Sequence, residues 1–391
     1  MIRLLLVARA LRAFADGFVA VLLPAYLLAL GHGQLEVGLL STATLLGSAL
    51  ATLAVGRWGH RFPIRRMLLA AAALMAATGL GFATLESLWP LLVVAFLGPL
   101  NPSGGDASVF LPLEHTVLAA GAHSSDRTTV FARYSFLGSI FGAVGALAAA
   151  LPDWLASRGG LQPVDALRLM FLLYAAIGLA VWALYFRMPR VRADKAGPAA
   201  PLGPSRRTVW ALAGLFSVDS FAGGLMVNSL LALWLFERFD MSLTAAGAFF
   251  FWTGLLAALS QLAAPVLARR IGLVNTMVFT HIPANLCLIG TAFAPGLELA
   301  LALLLARSAL SQMDVPARSA FVMSVVTPQE RPAAASFTAV PRSLASVISP
   351  TLTGALFAAG AMSAPLVACG VLKIVYDLAL FAAFRRVQPK S

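Results

Sequence analysis

Apolar positions in this chain come in long unbroken blocks rather than in alternating or narrowly amphipathic patterns. Twelve such blocks run over residues 9–30, 35–56, 67–84, 89–121, 129–151, 164–186, 208–236, 243–267, 273–293, 298–326, 333–359 and 364–384. Each approaches or exceeds the ~20 residues that a helix needs to cross a bilayer. The short period-two segments of a membrane β-barrel are not the dominant pattern. An all-α integral membrane fold of twelve transmembrane helices is therefore predicted. The one long polar interruption, 187–207, holds Arg187, Pro189, Arg190, Arg192, Pro198, Pro201, Pro204, Arg206 and Arg207. It reads as a linker between two six-helix bundles, 1–186 and 208–391.

Composition agrees with that picture. The chain is 60% hydrophobic and 11% charged, with a mean hydropathy of +0.87, whereas soluble domains are about 25% charged. A net charge of +12 would suit nucleic acid, but its distribution argues otherwise. Eighteen of the 28 Lys and Arg lie on alternate connections, such as Arg57, Arg61, Arg65 and Arg66, while the opposite connections carry only Arg158 and Arg238. That bias is the positive-inside signature and places both termini in the cytoplasm. The lipid bilayer, not nucleic acid, is the expected partner, and a monomer in a bacterial-type cytoplasmic (inner) membrane is expected. Basic residues precede the first apolar block, but that block continues through Asp16 and Pro24 as a full span, so no cleaved signal peptide is read. Cys287 and Cys369 lie far apart in apolar runs and read as small core residues.

Charges inside the spans repeat between the halves. Asp16 returns as Asp219, Asp106 as Asp314 and Arg133 as Arg342, each roughly two hundred residues later. A charge in hydrocarbon costs at least ~2.5–3.5 kcal/mol, so such groups face a bundle interior. Six spans, a basic linker and six similar spans are the layout of transporters built from parallel repeats around a midplane site. Over essentially its whole length the chain resembles the major facilitator superfamily. That resemblance implies two six-helix bundles rocking about a central cavity.

Two motifs strengthen the likeness. Between spans 2 and 3 the chain reads Gly56-Arg57-Trp58-Gly59-His60-Arg61-Phe62-Pro63-Ile64-Arg65-Arg66. Gly56, Arg61, Arg65 and Arg66 match the superfamily's loop motif, while His60 stands where it has an acid and Pro63 where it has a glycine. The basic residues are gating candidates by resemblance; anchoring at lipid headgroups explains them equally well. Span 5 carries Gly138, Gly142 and Gly145, resembling a glycine-rich motif of superfamily exchangers without its proline, and span 11 restores a proline in Ser349-Pro350. Close helix packing is the alternative reading.

Span 4 is the least regular, with Gly98-Pro99-Leu100-Asn101-Pro102-Ser103-Gly104-Gly105-Asp106 predicted to kink or unwind. Broken backbone at membrane depth survives where protein or a water-filled cavity supplies partners, so Asn101 and Asp106 join Asn228, Gln261, His281, Gln312 and Asp314 as cavity candidates. Asp106 is expected to pair with Arg133 and Asp314 with Arg342; Asp314 and Arg318 are also four apart, on one helical face. Arg133, Arg318, Arg342 and Glu114 are ion-pair or gating candidates, Glu114 through capping near the cytoplasmic end of span 4. Asp219 has no cation nearby in sequence, and Asp16 only Arg12, so both are proton-carrier candidates, Asp219 first.

His32, His60, His115, His123 and His281 are scattered rather than set at metal-ligand spacing. With no Gly-x4-Gly-Lys-Ser/Thr loop, ATP is not the expected energy source, and no cofactor is expected. No nucleophile-and-base constellation suggests an enzyme. The expected function is secondary active transport of a small-molecule substrate coupled to protons, with export favoured by the span 5 motif. Symport of an anionic nutrient, bound by Arg133, Arg307, Arg318 and Arg342, is the alternative, and a non-transporting membrane receptor is the reading from another class.

Overall fold

The computed structural model describes residues 2–103, 108–121, 127–189, 203–327 and 330–385. Its regular structure is helical. The first half holds α1 (Ile2–Ala29), α2 (Gln34–Trp58), α3 (Ile64–Thr84), α4 (Leu88–Leu97), α5 (Phe110–Gly121), α6 (Arg127–Leu147), α7 (Leu151–Gly159) and α8 (Pro163–Phe186). The second holds α9 (Arg206–Leu225), α10 (Asn228–Phe239), α11 (Leu243–Ile271), α12 (Leu273–Ala292), α13 (Leu297–Ser311), α14 (Asp314–Val325), α15 (Arg331–Ala345), α16 (Ser349–Ala358) and α17 (Ala364–Phe384).

The twelve predicted spans map onto these helices, four of them in two pieces. The predicted break in span 4 separates α4 from α5, with residues 98–103 and 108–109 non-helical among those described. Three further breaks were not predicted: α9 gives way to α10 at Met226 and Val227, α13 to α14 at Gln312 and Met313, and α15 to α16 at Ser346–Ile348. Two restart where proline fits. Pro316 and Pro350 sit in the first turn of α14 and α16, where their missing amide proton costs nothing. Between α11 and α12 the chain reverses through a single residue, Gly272, at φ +86°, a conformation that side chains with a Cβ resist.

Contacts divide the chain into two compact units, Met1–Lys195 with Val227–Phe251, and Ala196–Met226 with Trp252–Ser391. In the first, α1 lies against α6, α8, α2 and α10, while α3 packs on α8 and α2 on α4. In the second, α9 lies against α15, α17 and α16, while α12 packs on α17, α13 and α14. Each unit thus pairs its first span with its fifth and sixth, and its third with its sixth. The glycine motif of span 5 sits in such a contact: a Cβ on Gly145 would overlap the carbonyl of Phe14, and one on Gly17 the carbonyl of Gly142. Small residues here let two backbones touch, as close membrane helix packing requires. The second unit's apolar core gathers Val209, Leu212, Phe216, Met277, Phe321 and Leu380.

Candidate functional site

The second unit buries a chain of charges among four helices. Asp219 of α9, only 4% exposed, accepts from Lys373 Nζ of α17 at 2.6 Å and pairs with Arg318 Nη2 of α14 at 2.8 Å. Arg318 also donates to Asp314, one turn earlier, at the head of α14 where the helix dipole favours an acid. Its guanidinium carbon lies 5.2 Å from the ring centre of Phe216, a cation–π distance. One turn beyond Lys373 on α17, Asp377 is wholly buried, and both its carboxylate oxygens lie 3.0 Å from Nδ1 of His281 on α12. Lys373 and Asp377, four residues apart, share a face of α17.

This wiring corrects two expectations. Asp219 does not lack a cation; it has two, both distant in sequence. Asp314 pairs with Arg318 rather than with Arg342, which lies exposed on α15, within electrostatic reach of Asp219, Asp314 and Arg318 but outside ion-pair contact. Gln312 lies half-buried in the break before α14, and Gln261 half-buried on α11. The ion pairs and hydrogen bonds that link the charged chain run through neither glutamine.

The first unit carries its own buried acid. Glu114 of α5 is fully buried and accepts from Arg12 of α1, from Tyr134 of α6 and, at 2.6 Å, from Tyr185 Oη of α8. It is not a helix cap near the surface, as expected, but the point where four helices are joined. Arg12 binds Glu114, while Asp16, half-buried one turn along α1, stays within its electrostatic reach; the expected local Arg12–Asp16 pair is therefore secondary. The Arg12 guanidinium also lies 4.0 Å from the ring centre of Phe110. Near the break in span 4, buried Asn101 accepts from the Ser103 amide at 3.2 Å and hydroxyl at 2.6 Å, and the Pro102 carbonyl accepts from the Ser229 amide of α10. Asn228, the first residue of α10, is half-buried beside it. Asp106 lies outside the described residues, and Arg133 is exposed on α6.

In the span 2–3 motif, Arg65 donates from Nε to the Tyr185 carbonyl at 3.3 Å and from Nη2 to that of Phe186. A cation thereby caps the carbonyl end of α8. Arg61 and Arg66 are exposed. Beyond the spans, Glu330 accepts from the amides of Gly203 at 2.6 Å and Ser205 at 3.3 Å and from Thr327 Oγ1 at 2.7 Å. These hydrogen bonds, that of Thr327 foremost, hold its carboxyl down to about 2, so it stays ionised at neutral pH.

Sequence reasoning missed Lys373, Asp377, Tyr134 and Tyr185 as participants. A lysine and an aspartate one turn apart inside an apolar run were a visible signal for the first two. The tyrosines gave none, since nothing local distinguishes a hydrogen-bonded tyrosine from a packed one.

The sequence model of the Major Facilitator Superfamily matches residues 5–311. An uncharacterized membrane protein of Saccharomyces cerevisiae is 25% identical over 425 aligned positions, covering 100% of this chain and 95% of the yeast protein. Among solved structures, the nucleoside transporter NupG superposes with a TM-score of 0.74 at 14% identity, covering 99% of each chain. A bacterial homolog of the human lysosomal transporter Spinster gives 0.76 at 17% identity, covering 99% of this chain and 96% of its own. A bacterial homologue of the iron transporter ferroportin gives 0.76 at 17%, covering 97% and 98%.

Proposed function

Because the chain belongs to the major facilitator superfamily, we propose that it is a secondary transporter exporting a small solute from the cytoplasm by alternating access, driven by the proton gradient. The two bundles, 1–186 and 208–391 joined by the 187–207 linker, are the moving parts of that reading. Its chief support is the buried charge chain Asp314–Arg318–Asp219–Lys373 in the second unit. Intramembrane charges are costly and are retained where ions or substrates pass. Ion pairs spread over α9, α14 and α17 also change partners when a proton is gained or lost, which ties protonation to helix position. With two cations on Asp219, its carboxylate serves as the fixed centre of that chain, and the proton is carried beside it. The similar solved proteins are named for nucleoside and iron transport among other cargoes, so the fold does not specify the solute.

A second reading, symport of an anionic nutrient, draws support from Arg342. It is exposed and makes no ion pair among the described residues, leaving its guanidinium open to an anion. One experiment separates the two. Purified protein is screened by thermal shift against metabolites, antibiotics and metal ions, and each hit is added outside proteoliposomes containing a pH-sensitive dye. External substrate that alkalinises the lumen, exchanging inward solute for outward protons, supports the exchanger; acidification with uptake supports symport. Flux indifferent to the pH gradient eliminates proton coupling in both forms.

A further inference from the structure

The buried charges of the second unit do not balance. Among the described residues, Asp219, Asp314 and Asp377 bring three carboxylates, whereas Arg318 and Lys373 are the only lysine or arginine in ion-pair contact with any of them, and all five residues are at most 8% exposed. An uncompensated charge in such surroundings is strongly disfavoured. Arg342 does not fill the gap by contact, because it touches none of the three acids. Arg307 of α13 interacts electrostatically with the thiols of Cys287 and Cys369 rather than with a carboxylate. Among the described residues, the remaining side chain that pairs with one of these acids is His281, 4% exposed, with Nδ1 at 3.0 Å from both oxygens of Asp377.

We propose that His281 and Asp377 form the proton-binding site of the second unit, with the His281 imidazolium supplying the missing positive charge. The assignment rests on the proton-coupled reading above and names the group that carries the proton. Protonation forms one N–H bond: Nε2 of the neutral ring takes the proton while Nδ1–H stays donated to Asp377. Release breaks that bond and returns the proton to water.

The groups around the pair give release a structural consequence. α17 presents Lys373 one turn before Asp377, with Tyr376 beside it and Cys369 a further turn back; α14 presents Arg318 and Asp314; α9 presents Asp219. When His281 is neutral, Asp377 faces a ring without charge, and the cation on its own helix face is Lys373. The pull of Asp377 on Lys373 then competes with the 2.6 Å bond from Lys373 to Asp219 that ties α17 to α9. Proton loss at α12 thus weakens a tie between two other helices. Pro283, two residues beyond His281, removes a backbone donor from α12 and leaves that helix easier to bend there.

The test uses the full chain in lipid nanodiscs with isotope-labelled histidine, observed by solid-state nuclear magnetic resonance and titrated between about pH 5 and 8, where histidine ordinarily changes charge. The His281 signal is identified by its loss in His281→Gln. In the wild-type protein an imidazolium form of His281 is expected among the signals. At a fixed pH of about 6.5, Asp377→Asn is expected to lower its imidazolium-to-imidazole ratio at least about tenfold, the effect of removing one contacting charge. Asp377→Glu, which keeps the carboxylate, should retain most of the ratio.

A His281 that stays neutral throughout the wild-type titration overturns the proposal without needing any variant to fold, and so does a ratio unmoved by Asp377→Asn. Proton-linked flux in proteoliposomes beside a non-titrating His281 overturns this site and leaves the proton-coupled reading intact. A titrating His281 without proton-linked flux overturns that reading and leaves the proton-binding pair intact.

Discussion

At the scale of single residues, Asp219 and Asp314 look alike in sequence but not in their wiring. Asp219 receives cations from two helices; Asp314 shares Arg318 with it. Asp219→Ala leaves Lys373 buried without a contacting carboxylate, whereas Asp314→Ala leaves Arg318 still paired with Asp219. Removing one partner of a buried pair costs about 3–5 kcal/mol, so Asp219→Ala is expected near that range and Asp314→Ala well below it. Adding Lys373→Met to Asp219→Ala should recover part of the loss, because no orphaned ammonium remains. Denaturant unfolding in mild detergent, followed by tryptophan fluorescence, ranks the three; equal losses in the two single variants would contradict this wiring. The charges themselves were legible in the chain, but most of their pairings were not. Lys373 and Asp219 are 154 residues apart, and Arg12 and Glu114 are 102 apart. A local reading sees only neighbours at helical spacing. It found Asp314 with Arg318 correctly and offered Arg12 with Asp16, where Glu114 is the partner in contact.

At the scale of helices, the glycines of span 5 act through what lies beneath them. Gly145 rests under the Phe14 carbonyl of α1, where even a methyl group would overlap backbone atoms. Gly145→Ala is therefore expected to destabilise the protein by about 1–3 kcal/mol, the range for overpacked cores. Gly214, inside α9, has open space on its side-chain face, with no atom within 4 Å of where a methyl group would stand. Gly214→Ala should therefore be neutral or stabilise by up to ~1 kcal/mol through helix propensity. The fraction of monodisperse protein left after heating, measured by size exclusion, compares them; a Gly145→Ala protein as heat-resistant as Gly214→Ala would remove the packing explanation. Helix positions were readable because twelve apolar blocks are long and well separated. Helix breaks were read only where glycine and proline crowd together, between Gly98 and Gly105. Single prolines do not decide the matter: Pro24, Pro265, Pro283 and Pro341 all lie inside continuous helices. The breaks at Met226, Gln312 and Ser346 depend on neighbouring helices, which a local pattern does not contain.

At the scale of the whole molecule, the basic connections are expected to do two kinds of work, and these separate experimentally. Eighteen of 28 basic residues lie on one set of connections, a redundancy expected to leave orientation in the membrane insensitive to a few losses. Arg65 is different, since it caps the carbonyl end of α8 while exposed Arg57, Arg61 and Arg66 make no such contact among the described residues. A reporter that fluoresces only in the cytoplasm, fused after Ser391, is expected to be bright. An alkaline phosphatase inserted at Gly160 on the opposite connection is expected to be active, because that enzyme matures only outside the cytoplasm. Replacing Arg57, Arg61 and Arg66 together with glutamine should leave both signals in place and the unfolding temperature nearly unchanged. Arg65→Gln should also keep the orientation but lower the unfolding temperature, because the Tyr185 and Phe186 carbonyls lose a charged donor worth about 1.5–3 kcal/mol. Tyr185 also holds Glu114 through its hydroxyl, so that loss should extend to the buried Arg12–Glu114 pair. Inverted reporter signals in the unmodified chain would show that the charge bias does not set topology here. Equal stability of Arg65→Gln and the triple variant would show that the cap on α8 is decorative.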